Sequence, residues 1–238
     1  MSGAVRAPEN IRVMFDDISG RYDLMNHLMT GWRDQRWRAL AARLAVGGGA
    51  SLALDAATGT GGLARALRQA GAGRVIGIDL SASMLDLAAL RSRSDDGIRY
   101  RYADVTDLPF DDGAFDACTI GFGLRNVSDF QAGIDEMVRV LSPGGRLVIL
   151  EMTPVQRRYF GKAFDIYLGR LIPVVGWIVT GERDAYRYLS ESAKAFSKAD
   201  RLAQMMSAAG LAGVRWRFLA AGSVALHVGT KAERGQDE

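Results

Sequence analysis

The stretch "LALDAATGTGGLARAL", residues 52–67, constrains this chain more than any other. It reads as a buried strand, a glycine-rich turn and a helix. The turn "GTGGLA", 59–64, fits G-x-G-x-x-G/A, and Asp79 follows Gly59 by twenty residues, at the end of the next strand. Glycines such as Gly59 and Gly61 let a ligand approach the backbone, and a carboxylate placed like Asp79 accepts two ribose hydroxyl hydrogens. The pattern suits a nicotinamide dinucleotide or S-adenosylmethionine; a turn with a purely structural role is the third reading.

Strand-like and helix-like segments alternate after this point. Strands are expected at 51–56, 74–79, 98–103, 115–122 and 146–152, with helices at 61–70, 81–91 and 130–141, the last stopped by "SPGG". Short apolar strands separated by helices predict an α/β fold with a mostly parallel sheet covered on both faces. Residues 11–46 carry an apolar helical stripe interrupted at Gly31, with a second helix over 34–45. Residues 155–200 break the alternation and read as helices with an irregular middle; a helix near 198–209 follows. The strands 214–220 and 224–231 lie too close for a parallel crossover, so they form an antiparallel hairpin.

Composition narrows the function. With 238 residues, 48% of them hydrophobic, the chain suits one domain. Thirty basic against 27 acidic residues leave a net charge of only +3 with no long basic run, so nucleic acid is not implied. One cysteine and two distant histidines argue against a metal site, and Cys118 has no partner for an internal disulfide. No signal core opens the chain, and its longest uncharged apolar run, 171–181, is too short to span a membrane. A cytoplasmic protein, peripheral to a membrane at most, is expected.

Three features favour S-adenosylmethionine. Asp55, four residues before Gly59, suits an ammonium group and would repel a pyrophosphate. Asp104 follows the third strand, where it can accept from an adenine amino group or act as a turn residue. The terminal hairpin is unlike two matching mononucleotide halves.

Four stretches resemble the UbiE/MenG quinone C-methyltransferases: "MFDDISGRYDLMNHLMTGWRDQRWR" (14–38), "LDAATGTGGLA" (54–64), "DLPFDDGAFDACTIGFGLRNVSD" (107–129) and "DEMVRVLSPGGRLVILEMT" (135–153). "RDAYRYLSESAKAF" (183–196) and "VALHVG" (224–229) resemble the same family. "RYDLMN" and "FGLRN" are far more specific than the glycine turn. The resemblance implies a Rossmann-like class I methyltransferase: a seven-stranded, mostly parallel sheet ending in an antiparallel hairpin, with N-terminal helices and a helical lid. The single domain, 1–238, would comprise an N-terminal cap (11–46), a cofactor core (51–153), an acceptor lid (155–200) and the hairpin (214–231).

Cofactor contacts carried over position by position fall on Thr60, Asp79, Asp104 and Val105, with Leu80 beside Asp79 and Tyr22 packed nearby. Two residues depart from the family pattern. Gly62 stands where Asp is usual, and Gly121 where a serine-like residue contacts the cofactor; Thr58 replaces the usual Cys or Gly. The implied reaction methylates a quinol ring carbon of a demethylmenaquinone or ubiquinone precursor, with no metal. The departures leave room for a soluble aromatic or terpenoid acceptor. The glycine turn and Asp79 alone would also fit a nicotinamide-dependent oxidoreductase, and a binding protein without catalysis is the fourth reading.

A ring carbon becomes nucleophilic when the adjacent hydroxyl loses its proton, so the site needs a base and donors for the phenolate. Arg125 is the candidate donor, with Asn126 to orient it or the ring. His227 has a suitable intrinsic pKa, although a single histidine on an apolar strand is also what a satisfied core residue looks like. Tyr188 could donate to a quinol oxygen or simply pack. A prenylated acceptor would need an apolar groove, for which Ile172, Val175, Trp177 and Ile178 are candidates, or these line an ordinary lid. Transient contact with a membrane surface and a homodimer are compatible with the resemblance.

Overall fold

Seven strands form one sheet: β1 (Ala50–Ala56), β2 (Ala72–Asp79), β3 (Ile98–Tyr102), β4 (Phe115–Gly121), β5 (Leu141–Met152), β6 (Leu211–Leu219) and β7 (Val224–Lys231). This computed structural model describes residues 23–154, 174, 188, 191–193 and 195–233. Tyr22 and most of the expected lid, with its apolar groove residues, lie outside the described residues. The strand order is β3-β2-β1-β4-β5-β7-β6. β1 pairs parallel with β2 on one side and β4 on the other. β7 runs antiparallel to both β5 and β6, as the short connection between the last two strands requires.

Among the described residues, helices α1 (residues 23–30), α2 (Arg33–Val46), α3 (Gly62–Gln69), α4 (Ala82–Ser92), α5 (Phe130–Arg139) and α6 (Ala199–Ala208) accompany the sheet. α1 and α2 part at Gly31 and Trp32, both with left-handed backbone. Local chemistry sets two starts. The Ser81 hydroxyl accepts from the Met84 N–H, and the Asp129 carboxylate accepts from the N–H groups of Gln131 and Ala132.

The parallel strands are apolar on both faces because helices cover both. Ala53 and Val148 pack with Ala41, Ala42 and Leu63 of α2 and α3. Leu54, Ile120 and Ile149 pack on the other face with Ile134 and Met137 of α5 and Leu202 and Met206 of α6. Truncating one such buried Leu or Ile to Ala removes about 2–5 kcal/mol.

Four boundaries differ from the expected ones by two residues or more. The helix expected over 130–141 ends at Arg139, and β5 starts at Leu141, running through "SPGG". Leu141 pairs with Phe115 before a register shift, and a Cβ on Gly145 would lie 2.8 Å from the Ser142 carbonyl oxygen, so the irregular strand tolerates only glycine there. β6 begins at Leu211, three residues early, with its own irregularity between Ala212 and Arg215. β2 begins at Ala72, two residues early.

Candidate active site

The sheet reverses its order between β1 and β4, and the crevice at that point opens at the carboxyl ends of the strands. Two non-glycine residues adopt left-handed backbone at its rim: Ala57 just after β1 and Phe122 just after β4. Such strain concentrates where a fold serves a ligand. The two turns approach closely, since a Cβ on Gly123 would lie 2.5 Å from that of Ala57.

The glycine turn is built from both sides. Gly59 has φ +53°, and a Cβ there would meet open space, so its backbone faces a ligand freely. Gly61 answers a different demand. Its φ is +76°, and a Cβ would collide with the Tyr100 hydroxyl oxygen. Asp79 fixes the turn, accepting from the Gly59 N–H at 2.8 Å and from the Ser81 N–H at 3.0 Å. Leu80 follows, half-buried. Thr60 donates from its hydroxyl to Asp23 at 2.8 Å, and Asp23 also pairs with Arg91 of α4. α1 is thereby tied across the turn.

Asp55 is the penultimate residue of β1 and is 1% exposed. Its carboxylate accepts from the hydroxyls of Thr58 at 2.6 Å and Thr119 at 2.9 Å. Burial pushes its pKa up to about 6 despite those bonds. A carboxylate so disfavoured in its charged form is suited to receiving a cation. Asp104 lies half-buried after β3, one oxygen accepting from the backbone and hydroxyl of Thr106, and Val105 is buried beside it. Asp104, Asp79 and Asp55 thus lie at or just past the carboxyl ends of β3, β2 and β1, in spatial order. Gly121 ends β4, where a Cβ would touch Leu63 at 3.1 Å.

Arg125 sits in a 3-10 turn, Leu124–Asn126, just past β4. Its Nη1 donates to the Phe122 carbonyl at 2.8 Å and to Glu151 at 2.5 Å. The adjacent Asn126 accepts from the Tyr188 hydroxyl at 3.2 Å. The structure therefore brings Arg125, Asn126 and Tyr188 together. It does not bring His227 to them. His227 is fully buried on β7, opposite Ile149, stacked on Trp216 with its Nε2 2.8 Å from the Ala199 carbonyl oxygen. A carbonyl only accepts, so Nε2 carries the proton, and burial lowers the ring's pKa.

Glu151, Asp23, Thr58 and Thr119 are absent from the sequence-based candidates. Glu151 had a signal: it is the single charge in "LVILEM", at the carboxyl end of an apolar strand. Asp23 lay inside the motif "RYDLMN" with nothing local to assign it a partner.

Residues 4–231 match the sequence profile of the ubiE/COQ5 methyltransferase family. The chain belongs to this family. A demethylmenaquinone methyltransferase from Thermus thermophilus is 43% identical over 92% of this chain and all of its own length. A ubiquinone/menaquinone biosynthesis C-methyltransferase, UbiE, from Stutzerimonas stutzeri is 37% identical over 94% of this chain and 89% of its own. Among solved structures, the 4+2 cyclase SpnF superposes with TM-score 0.69 at 19% identity, over 94% of this chain and 95% of its own. An S-adenosylmethionine-dependent methyltransferase from Thermotoga maritima superposes with TM-score 0.62 at 19% identity, over 92% and 98%. These two likenesses show the fold, a Rossmann-like α/β sheet.

As a member of the family the chain takes S-adenosyl-L-methionine as its cofactor. The site fits that molecule on its own evidence. The open face at Gly59, the carboxylate of Asp79 beside it, and a buried carboxylate of raised pKa at Asp55 suit a ligand with ribose hydroxyls and an ammonium group.

Proposed function

We propose that this chain methylates a ring carbon of a quinol of the demethylmenaquinone or ubiquinone-precursor type. The names of its relatives supply the substrate class. The carrying observation is the position of Arg125, Asn126 and Tyr188 just past β4, next to the Asp55–Asp79 side of the crevice. S-adenosylmethionine, when bound, supplies a methyl group already activated on a sulfonium. The chain's own residues bind, orient and exclude water.

In this reading Asp55 holds the ammonium group, Asp79 the ribose hydroxyls and Asp104 the adenine amino group, with Thr60, Gly61, Leu80, Val105 and Gly121 shaping the crevice. Arg125 keeps its proton and offers donors to the quinol oxygen, where negative charge gathers. Glu151 holds that guanidinium in place. Asn126 and Tyr188 orient the ring. His227 braces β7 against α6 and takes no part in proton transfer.

A prenylated acceptor needs an apolar entry. Leu24 and Leu28 are exposed one turn apart on α1, next to Asp23, which reaches the glycine turn, and Trp32 is exposed just past the end of that helix. This apolar group supports delivery of the acceptor at a membrane surface facing the cytoplasm. No helix among the described residues is long and apolar enough to cross a membrane.

The deciding experiment incubates the protein with methyl-labelled S-adenosylmethionine and a panel of reduced prenylated quinones and soluble phenols. Label on a ring carbon of a prenylated quinol is expected. Label on soluble phenols alone, or on oxygen, would overturn the assignment.

A further inference from the structure

We propose that Arg38 of α2 holds the α-carboxylate of the cofactor's amino-acid end. The proposal rests on the cofactor reading above and adds to it a residue outside the glycine turn. Asp104, Asp79 and Asp55 line the strand ends in the order in which an adenine, a ribose and an ammonium group would lie. A carboxylate bonded to the same carbon as that ammonium must then sit beside Asp55, and it needs a cation there.

Arg38 is placed to be that cation. Ala53, two residues before Asp55 and so on the same side of β1, belongs to the apolar cluster that Ala41 and Ala42 of α2, the helix that carries Arg38, help to form. The positive charge of Arg38 is among the influences holding the Asp55 pKa down against burial. A Cβ on Gly62, the first residue of α3, would lie 3.1 Å from the Arg38 Nη1. The Arg38 Cζ lies 5.7 Å from the centre of the Phe122 ring, just past β4. The guanidinium therefore sits between the glycine turn and the end of β4.

Its own bonding is incomplete. Arg38 Nε lies 3.6 Å from Asp34, which is beyond hydrogen-bond length, and the described residues give the terminal nitrogens no hydrogen bond. The side chain is only 15% exposed. A guanidinium largely withdrawn from water, with both terminal donors free, is arranged for a forked bond to a carboxylate. Asp34 fixes the base of the arrangement, because it also accepts from the Thr30 hydroxyl at 3.0 Å and contacts His27 at 3.0 Å. The neighbouring guanidiniums are already engaged: Arg125 pairs with Glu151, Arg91 with Asp23, and Arg65 donates to the Thr60 carbonyl.

Calorimetry on the full chain tests this with two ligands that differ by one group: S-adenosylhomocysteine and its decarboxylated analogue. Wild-type protein should bind the first roughly 10–100-fold more tightly. Arg38→Ala should abolish that preference, losing affinity for S-adenosylhomocysteine while binding the analogue as before. Arg38→Lys should keep part of the preference. Unchanged binding of the analogue also certifies that the variant is folded; if Arg38→Ala fails to fold, Arg38→Gln takes its place. Three results would overturn the proposal: no preference in the wild type, equal loss of both ligands in the variant, or a loss confined to the quinol KM. The second would make Arg38 a structural brace and the third an acceptor contact. Wild-type protein that binds neither ligand would overturn the cofactor reading and the proposal with it.

Discussion

Arg125 Nη1 and Glu151 Oε1 lie 2.5 Å apart across the ends of β4 and β5, in a pair that is 4% and 1% exposed. The Arg125 backbone N–H also points to Glu151, at 3.3 Å. Removing one partner leaves a buried charge without its counterion. Glu151→Ala should therefore lower stability by about 3–5 kcal/mol, measured by urea unfolding. Replacing both with apolar residues, Arg125→Met with Glu151→Leu, should recover most of that stability while turnover stays lost. Retained turnover in the double variant would remove Arg125 from the reaction.

In the proposed function, Asp55 makes cofactor affinity depend on pH. Its pKa moves from the ordinary 3.8 up to about 6 in the folded protein because it is buried. The folded pKa is the higher one, so the group's stabilising contribution is full below about pH 4 and is lost as pH rises through about 6. A rise of that size corresponds to at most about 3 kcal/mol. Asp55→Asn should accordingly be more stable than wild type at pH 7.5, with the gain shrinking toward pH 4. Wild-type affinity for S-adenosylhomocysteine should climb between pH 5 and 7 as the carboxylate ionises, whereas Asp55→Asn binds weakly and without that slope. Calorimetry across the pH range checks both.

The fold and the crevice at the strand ends were legible because local patterns carry them. Alternating apolar segments specify the parallel strands, and the glycine turn with Asp55 and Asp79 specifies the crevice, all within thirty residues of chain. What escaped depends on contacts distant in sequence. Glu151 meets Arg125 across 26 residues, Asp23 meets Thr60 across 37, and Arg38 reaches Gly62 from a helix before the first strand. Gly61 was legible as a special position but for an incomplete reason, since the Tyr100 hydroxyl that excludes a side chain there comes from β3. His227 shows the opposite limit: its residue type suggests a base, and only its burial and its bond to Ala199 place it in the core.

That burial gives His227 a pH signature. Its folded pKa is lowered below the ordinary 6.5, first by desolvation, against a smaller opposing effect from Ala199. The unfolded chain therefore takes up a proton that the folded protein resists. Stability from this group is present above about pH 6.5 and falls as pH drops below it, by no more than about 1.4 kcal/mol per pH unit. His227→Gln should flatten this part of the stability profile in urea titrations between pH 5 and 7.5. It should also leave the pH dependence of turnover unchanged; a shifted turnover profile would restore His227 as a base.

Asp79 fixes the glycine turn and, in the proposed function, also holds the ribose; two substitutions separate the roles. Its carboxylate accepts from the N–H groups of Gly59 and Ser81. Asp79→Ala strips both bonds and should cost about 1–3 kcal/mol of stability along with cofactor binding. Asp79→Asn keeps one acceptor oxygen for the turn but loses the charge that receives two ribose hydroxyls. It should unfold within about 1 kcal/mol of wild type while S-adenosylhomocysteine affinity falls roughly 10–100-fold, because hydrogen bonds to a charged acceptor are the stronger ones. Thermal unfolding with and without ligand reads both quantities in one experiment. Wild-type affinity in Asp79→Asn would confine this carboxylate to shaping the glycine turn.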